Sequence, residues 1–217
     1  LKFMLQVAEK ILRKNPKQIT FLGPMATYML TFMLGTGHAV YSLMPIIGDI
    51  ALKNKIRPER PMAAASVASQ LALTASPISA VVTVYLGKEL LDLFHMQGGH
   101  NLTLVNILSV TIPATFIGML AMSLYSLRRG KELEDDPEYQ RRLKDPVYRD
   151  QILNSSKTTL NDVIPQSSKN AVYIFLSSIV VIVALALLPE VRTFQVMEDG
   201  VATSTTVPMG IIIQMIM

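Results

Sequence analysis

Between Gln18 and Gly48 the chain carries no Asp, Glu, Lys or Arg. One membrane span takes about 20 apolar residues, and two spans with their turn take about 40 or more. This run, about 30 residues long, fits neither. Its flanks are basic on both sides, with Lys10, Arg13, Lys14 and Lys17 before it and Lys53, Lys55, Arg57 and Arg60 after it. Basic residues collect on the cytoplasmic face of membrane proteins. Both ends of the run therefore belong on one side, and the chain between them must turn back inside the bilayer. The sequence predicts a re-entrant helical hairpin over 18–55, with arms near Ile19–Leu34 and Ala39–Leu52 and the tip at Gly35-Thr36-Gly37-His38. Gly35 and Gly37 give the turn its backbone freedom. Pro24 lies early in the first arm, and Pro45 is expected to interrupt the second. Non-helical backbone at membrane depth persists only where protein or a watery cavity satisfies it. The tip is therefore a candidate binding site.

The remaining chain fits an all-α membrane protein. Charged residues make up 17% of the 217, against about 25% in soluble domains. Residues 1–17 read as an amphipathic helix lying on the cytoplasmic membrane surface, its polar face including Lys2, Glu9, Lys10 and Arg13. Residues 61–86 read as a discontinuous transmembrane helix. Ser76 before Pro77 looks like an N-cap followed by a first-turn proline, which gives half-helices Met62–Thr74 and Pro77–Leu86. This stretch is rich in small polar residues, among them Ser66, Ser69, Gln70, Thr74, Ser76 and Ser79. A polar loop, Gly87–Asn101 with Gly98-Gly99, follows. Residues 102–127 form a transmembrane segment ending at Arg128-Arg129-Gly130-Lys131, and 128–169 a cytoplasmic loop. In that loop Asp136-Pro137 and Asp145-Pro146 each signal a short helix. Residues 171–188 form a transmembrane helix, Pro189–Thr206 a polar loop, and 207–217 the start of a further transmembrane helix. The chain opens on Leu1 and closes inside an apolar run, so it reads as an internal portion of a longer membrane protein. One orientation places the cation-rich loops inside and the cation-poor loops outside.

Two interruptions at membrane depth, close in sequence, point to one place. Helix N-termini carry free N–H groups and roughly half a positive charge. The second hairpin arm starts near His38 and the second half-helix near Pro77. Two such ends facing one cavity would hold an anion without any Arg or Lys. The candidate binding residues are Gly35, Thr36, Gly37, His38, Thr74, Ser76, Pro77 and Ser79. His38 could donate to a carboxylate or carry a proton, or it could simply tie down the tip backbone. A coupling cation could sit at the C-terminal end of the first half-helix. Asp49 reads as interfacial. Cysteine is absent, which excludes disulfides and thiolate metal sites. His38, His95 and His100 are too scattered for a metal motif, and no glycine-rich phosphate loop is present. No catalytic residues, metal or cofactor are assigned, and the basic residues do not form a nucleic-acid surface.

Several stretches resemble one family. Gly35-Thr36-Gly37-His38, Pro45-Ile46-Ile47, Ile56-Arg57-Pro58-Glu59-Arg60-Pro61-Met62-Ala63 and Thr74-Ala75-Ser76-Pro77 are similar to the anaerobic C4-dicarboxylate transporter (Dcu) family. Ser126-Leu127-Arg128-Arg129-Gly130-Lys131 with Asp135-Asp136-Pro137-Glu138 looks more like the DcuA branch than the DcuB branch. The resemblance implies exchange of fumarate, malate or aspartate for succinate across the bacterial inner membrane. It also implies a fold like that of the ion-transporter superfamily, in which each inverted half carries one re-entrant hairpin and one broken helix. Partners would be small dicarboxylate anions, the lipid bilayer and the second half of the transporter, with a homo-oligomer left open. An anion channel and a membrane sensor or scaffold subunit are the alternatives.

Overall fold

A computed structural model describes residues 2–96, 102–154, 158–198 and 201–216. Its helices are α1 (Lys2–Lys14), α2 (Ile19–Leu34), α3 (Ala39–Lys53), α4 (Glu59–Ala75), α5 (Ala80–Tyr85), α6 (Lys88–Met96), α7 (Leu104–Leu127), α8 (Pro137–Arg142), α9 (Pro146–Asn154), α10 (Gln166–Leu187) and α11 (Met209–Ile216). Strands β1 (Thr193–Glu198) and β2 (Val201–Thr206) form an antiparallel pair. Among the described residues, three helical stretches are long and apolar enough to cross a membrane: Glu59–Tyr85, Leu104–Leu127 and Gln166–Leu187.

α2 and α3 form a helical hairpin. Gly35 ends α2 in the left-handed region at φ +65°, its N–H donating to the Thr31 carbonyl at 2.8 Å. Glycine is the residue that takes this conformation without a Cβ penalty. α3 runs unbroken through Pro45, contrary to the expected interruption. It closes on a Schellman cap, in which Lys55 N–H reaches Leu52 O and Ile56 N–H reaches Ala51 O. Lys55 takes the left-handed position, φ 60°, that glycine usually fills.

The hairpin packs on α4 through small residues. Ala64, Ala65, Ala68, Ser69, Ala72 and Ala75 are all buried, which lets α2 and α7 approach closely. Tyr28 donates to Thr115 at 2.8 Å across this junction, beside Phe116 and Met119. α7 runs antiparallel to the α4–α5 stretch. At one end Arg60, buried to 7% exposure, donates to the carbonyls of Arg129 and Gly130 and to Glu132. At the other, Val82 and Leu86 pack with Leu104, Ile107, Ile182 and Met209.

The ends of the hairpin lie with the Arg60 end. Asp49, itself buried, pairs with Arg13 at 3.2 Å and with Lys53 at 2.9 Å. α1 folds back along α2, with Met4 beside Leu34, and buries Leu5 and Leu12. Glu9, placed on the polar face by its sequence, is fully buried. It accepts from Arg13, from Thr159 N–H and from the Thr159 hydroxyl. Gln6 donates to the carbonyls of Thr159 and Asp162. The end of the 128–169 segment is thus strapped along α1, and α10 starts beside Met4 and Leu34.

Other differences are local. Part of the expected loop Gly87–Asn101 is the helix α6, while Gly98-Gly99 and His100 lie outside the described residues. The expected loop Pro189–Thr206 holds the β1–β2 pair. α8 and α9 start as the Asp-Pro signals require, with Asp136 accepting from the N–H groups of Glu138 and Tyr139.

Asp136 also pairs with Arg57 at 2.9 Å. The backbone N–H of Tyr139, with that of Glu138 and the Arg57 guanidinium, holds its carboxyl below its usual value of 3.8. A carboxyl whose value is lowered by folding adds stability above its unfolded value and loses it as pH falls through the folded one. Thermal unfolding of the native protein should therefore show Asp136→Asn less stable than wild type at pH 7. The gap should close below about pH 4.

Candidate functional site

The hairpin tip rests on the break between α4 and α5. A methyl group at Gly35 would stand 2.9 Å from Ile78 Cγ1 and 3.0 Å from the Ile78 carbonyl oxygen. One at Gly37 would meet Leu73 at 3.2 Å and the Gln70 amide at 3.3 Å. Ser69 donates to the Gly37 carbonyl at 3.0 Å and lies 3.1 Å from the Thr31 hydroxyl. α2, the tip and the last turns of α4 thus share one polar seam.

The break is a turn over Ser76–Ser79, with Ser79 N–H donating to the Ser76 carbonyl at 3.3 Å. Pro77 takes the second position of the turn, where its fixed φ is favoured. The N-cap of α5 is consequently Ser79, whose hydroxyl accepts from Val82 N–H at 3.3 Å, and not Ser76. Ser76 is extended, φ −77° and ψ 126°, and closes α4. Its hydroxyl is buried without a hydrogen-bond partner among the described residues. Ser76, Pro77, Ile78 and Ser79 are all buried.

The eight expected residues divide into three groups. Gly35 is seated against Ile78 of the break and Gly37 against α4, and Ser76, Pro77 and Ser79 are buried in that same break. Thr74 is half-buried and bonds back to the Leu71 carbonyl at 2.8 Å. Thr36 and His38 are exposed. The His38 N–H reaches the Thr36 hydroxyl at 3.5 Å, and its ring stacks 6.0 Å from Tyr41.

The expected pair of helix N-termini is reduced to one. α5 has 6 residues and already spends Ser79 on its own cap, whereas α3 has 15 and starts at the tip without a side-chain cap. Thr31, Ser69, Gln70 and Ile78 were not among the expected residues. Their signal was spacing: Thr27 and Thr31 on α2, and Ala65, Ser69 and Ala72 on α4, each recur at helical intervals, and Thr31 meets Ser69. Among the described residues no cluster of His, Asp or Glu could hold a metal ion.

The family model described as "Anaerobic c4-dicarboxylate membrane transporter" matches residues 1–217. The chain belongs to this family. It is 42% identical over 195 residues to the anaerobic C4-dicarboxylate transporter DcuB of Escherichia coli O6:H1, covering 88% of this chain and 42% of that protein. It is 38% identical over 186 residues to the C4-dicarboxylate transporter DcuA of Helicobacter pylori, covering 86% and 39%. Against DcuA of Escherichia coli K12 the identity is 36% over 189 residues, covering 87% and 40%. The chain therefore spans about two fifths of the length of these curated relatives. That DcuB is more alike than either DcuA, so the motif after α7 that favoured the DcuA branch does not set the branch. No solved structure matches the chain. Family membership and the three apolar helices make it an integral membrane protein of a carrier family.

The seat of the tip gives a direct test. Gly35→Ala puts a side chain into a left-handed residue and against the Ile78 carbonyl. It should lower stability by about 2 kcal/mol or more. Gly23→Ala meets only ordinary contacts near 3.5 Å with Ile47 and serves as the control. Scanning calorimetry or fluorimetry of the native protein checks both.

Proposed function

We propose that the protein is a secondary transporter that exchanges C4-dicarboxylates such as fumarate, malate, aspartate and succinate across the bacterial inner membrane. The observation that carries this reading is the buried, unpaired Ser76 hydroxyl in a helix break roofed by a hairpin tip. A buried polar group without a partner is costly, and discontinuous helices mark the binding sites of secondary transporters. The Ser76 hydroxyl, the Thr36 hydroxyl, the His38 ring and the N-terminal end of α3 are the groups offered to a carboxylate. Gly35 and Gly37 let the backbone come close. Pro77, Ser79 and Thr74 hold the break in shape, so their contribution to binding is indirect.

The hairpin is read as re-entrant, entering and leaving on the cytoplasmic side. At its root, Asp49 of α3 pairs both with Lys53 and with Arg13 of α1, the helix that leads into the hairpin. α2, with 16 residues, rises about 24 Å, and α7, with 24, about 36 Å. Beyond the tip, α5 still packs against the start of α7. All three facts suit an arm that stops short of the far face. Opening of the tip against the break would expose the site alternately to the two sides.

Removing an unsatisfied hydroxyl should not weaken the fold, so Ser76→Ala is expected to match wild type in thermal stability. Counterflow of labelled succinate into liposomes carrying the native protein should show its apparent affinity reduced by about tenfold or more, the worth of one hydrogen bond to a charged group. His38→Ala should also be weakened. Wild-type rates and affinity in both variants would remove these residues from the site. Separately, single cysteines at Lys17 and Asn54 should both react with a membrane-impermeant reagent from the cytoplasmic side alone. Labelling from opposite sides would overturn the re-entrant reading.

A further inference from the structure

Where α3 ends, a pocket of about 420 Å³ opens between the root of the hairpin and helices α8 and α9. Lys53, Lys55 and Arg149 line it with Tyr139, over an aliphatic floor that includes Leu143 and Ile152. Lys53 pairs with Asp49 at 2.9 Å and Lys55 with Glu134 at 2.6 Å. Asp49 is shared with Arg13. No carboxylate among the described residues lies within ion-pair distance of Arg149, which is exposed. The lining thus carries more positive than negative charge, with one guanidinium open to a ligand.

We propose that this pocket holds the phosphate of an anionic phospholipid headgroup. The inference rests on the membrane placement of the hairpin given above. On that placement Leu52 and Lys53 stand where the apolar arm meets the cytoplasmic segment, which is the depth of the headgroups. Cationic pockets on the cytoplasmic side of membrane proteins suit such headgroups. Arg149 can grip a phosphate through two parallel N–H donors, and Lys53 and Lys55 add charge. Tyr139 offers a hydroxyl, and the aliphatic floor takes the glycerol carbons. A soluble phosphate would satisfy the cations but leave that floor wet. A lipid bound here touches both the hairpin root and the 128–169 segment, and so ties the two together.

The test is made on the native protein, purified in a mild detergent and stripped of lipid. Bound phosphatidylglycerol, phosphatidylcholine and inorganic phosphate are each titrated and read by native mass spectrometry and by thermal shift. Phosphatidylglycerol should bind at least about tenfold more tightly than phosphatidylcholine. Arg149→Gln should remove about tenfold of that affinity, the worth of one charged hydrogen bond. Arg128→Gln, a cation at the end of α7 outside the pocket, should leave it unchanged. Equal binding of the two lipids would overturn the proposal. So would wild-type behaviour of Arg149→Gln, or an equal loss in Arg128→Gln, which would mean a diffuse basic surface. If inorganic phosphate gave the same shift and displaced the lipid, the ligand would be a soluble phosphate instead. The readout uses no dicarboxylate, so failure here leaves the exchange assay intact, and failure of exchange leaves this measurement intact.

Discussion

A helix that stops inside a hydrocarbon layer needs protein over its open end, because no water is there to take its backbone groups. The break between α4 and α5 meets this demand in three ways. Ser79 takes one of the free N–H groups in the first turn of α5, that of Val82. The Ser76–Ser79 turn satisfies one carbonyl from within. The hairpin tip then lies directly on Ile78, close enough that only glycine fits at position 35. Among the side chains of the break, the Ser76 hydroxyl is buried without a partner among the described residues. Thr111 and Ser126, both on α7, carry unpaired buried hydroxyls of the same kind.

The opposite end of the hairpin is built from charge. Arg13, Asp49 and Lys53 link α1 to α3, and Arg57 and Arg60 clasp the backbone after α7. Arg60 succeeds while largely buried because its planar fork meets two carbonyls and a carboxylate at once. Glu9 is buried on similar terms, with donors supplied by Arg13, Thr158 and Thr159. The molecule therefore changes character along its length. Ion pairs rule at the root, while backbone and hydroxyl contacts rule at the tip.

Much of this architecture was legible in the residues. A charge-free run with basic flanks, glycines at its centre and a Ser-Pro pair downstream were enough to place the arms of the hairpin and the interruption of the following helix. The register of the interruption was not legible. Ser76-Pro77 is an equally good start for a helix and for a tight turn, and only the packing of Ile78 under Gly35 decides between them. The role of Glu9 was hidden because its partner, Thr159, is 150 positions away. Pro45 reads as a breaker, yet α3 absorbs it without stopping. The β1–β2 pair was signalled by Asp199-Gly200 between two runs rich in β-branched residues. Polar composition alone hid that signal.

The alanine-lined face of α4 has a mechanical meaning. Helices that mesh through leucines must ride over ridges of side chains before they can slip. A surface of methyl groups has only low ridges, so α2 lies close against it. Hydroxyl links fix its register, Thr31 to Ser69 on α4 and Tyr28 to Thr115 on α7. These are worth on the order of 1 kcal/mol each. The hairpin is thus held by charge at its base and by close, shallow packing along its shaft.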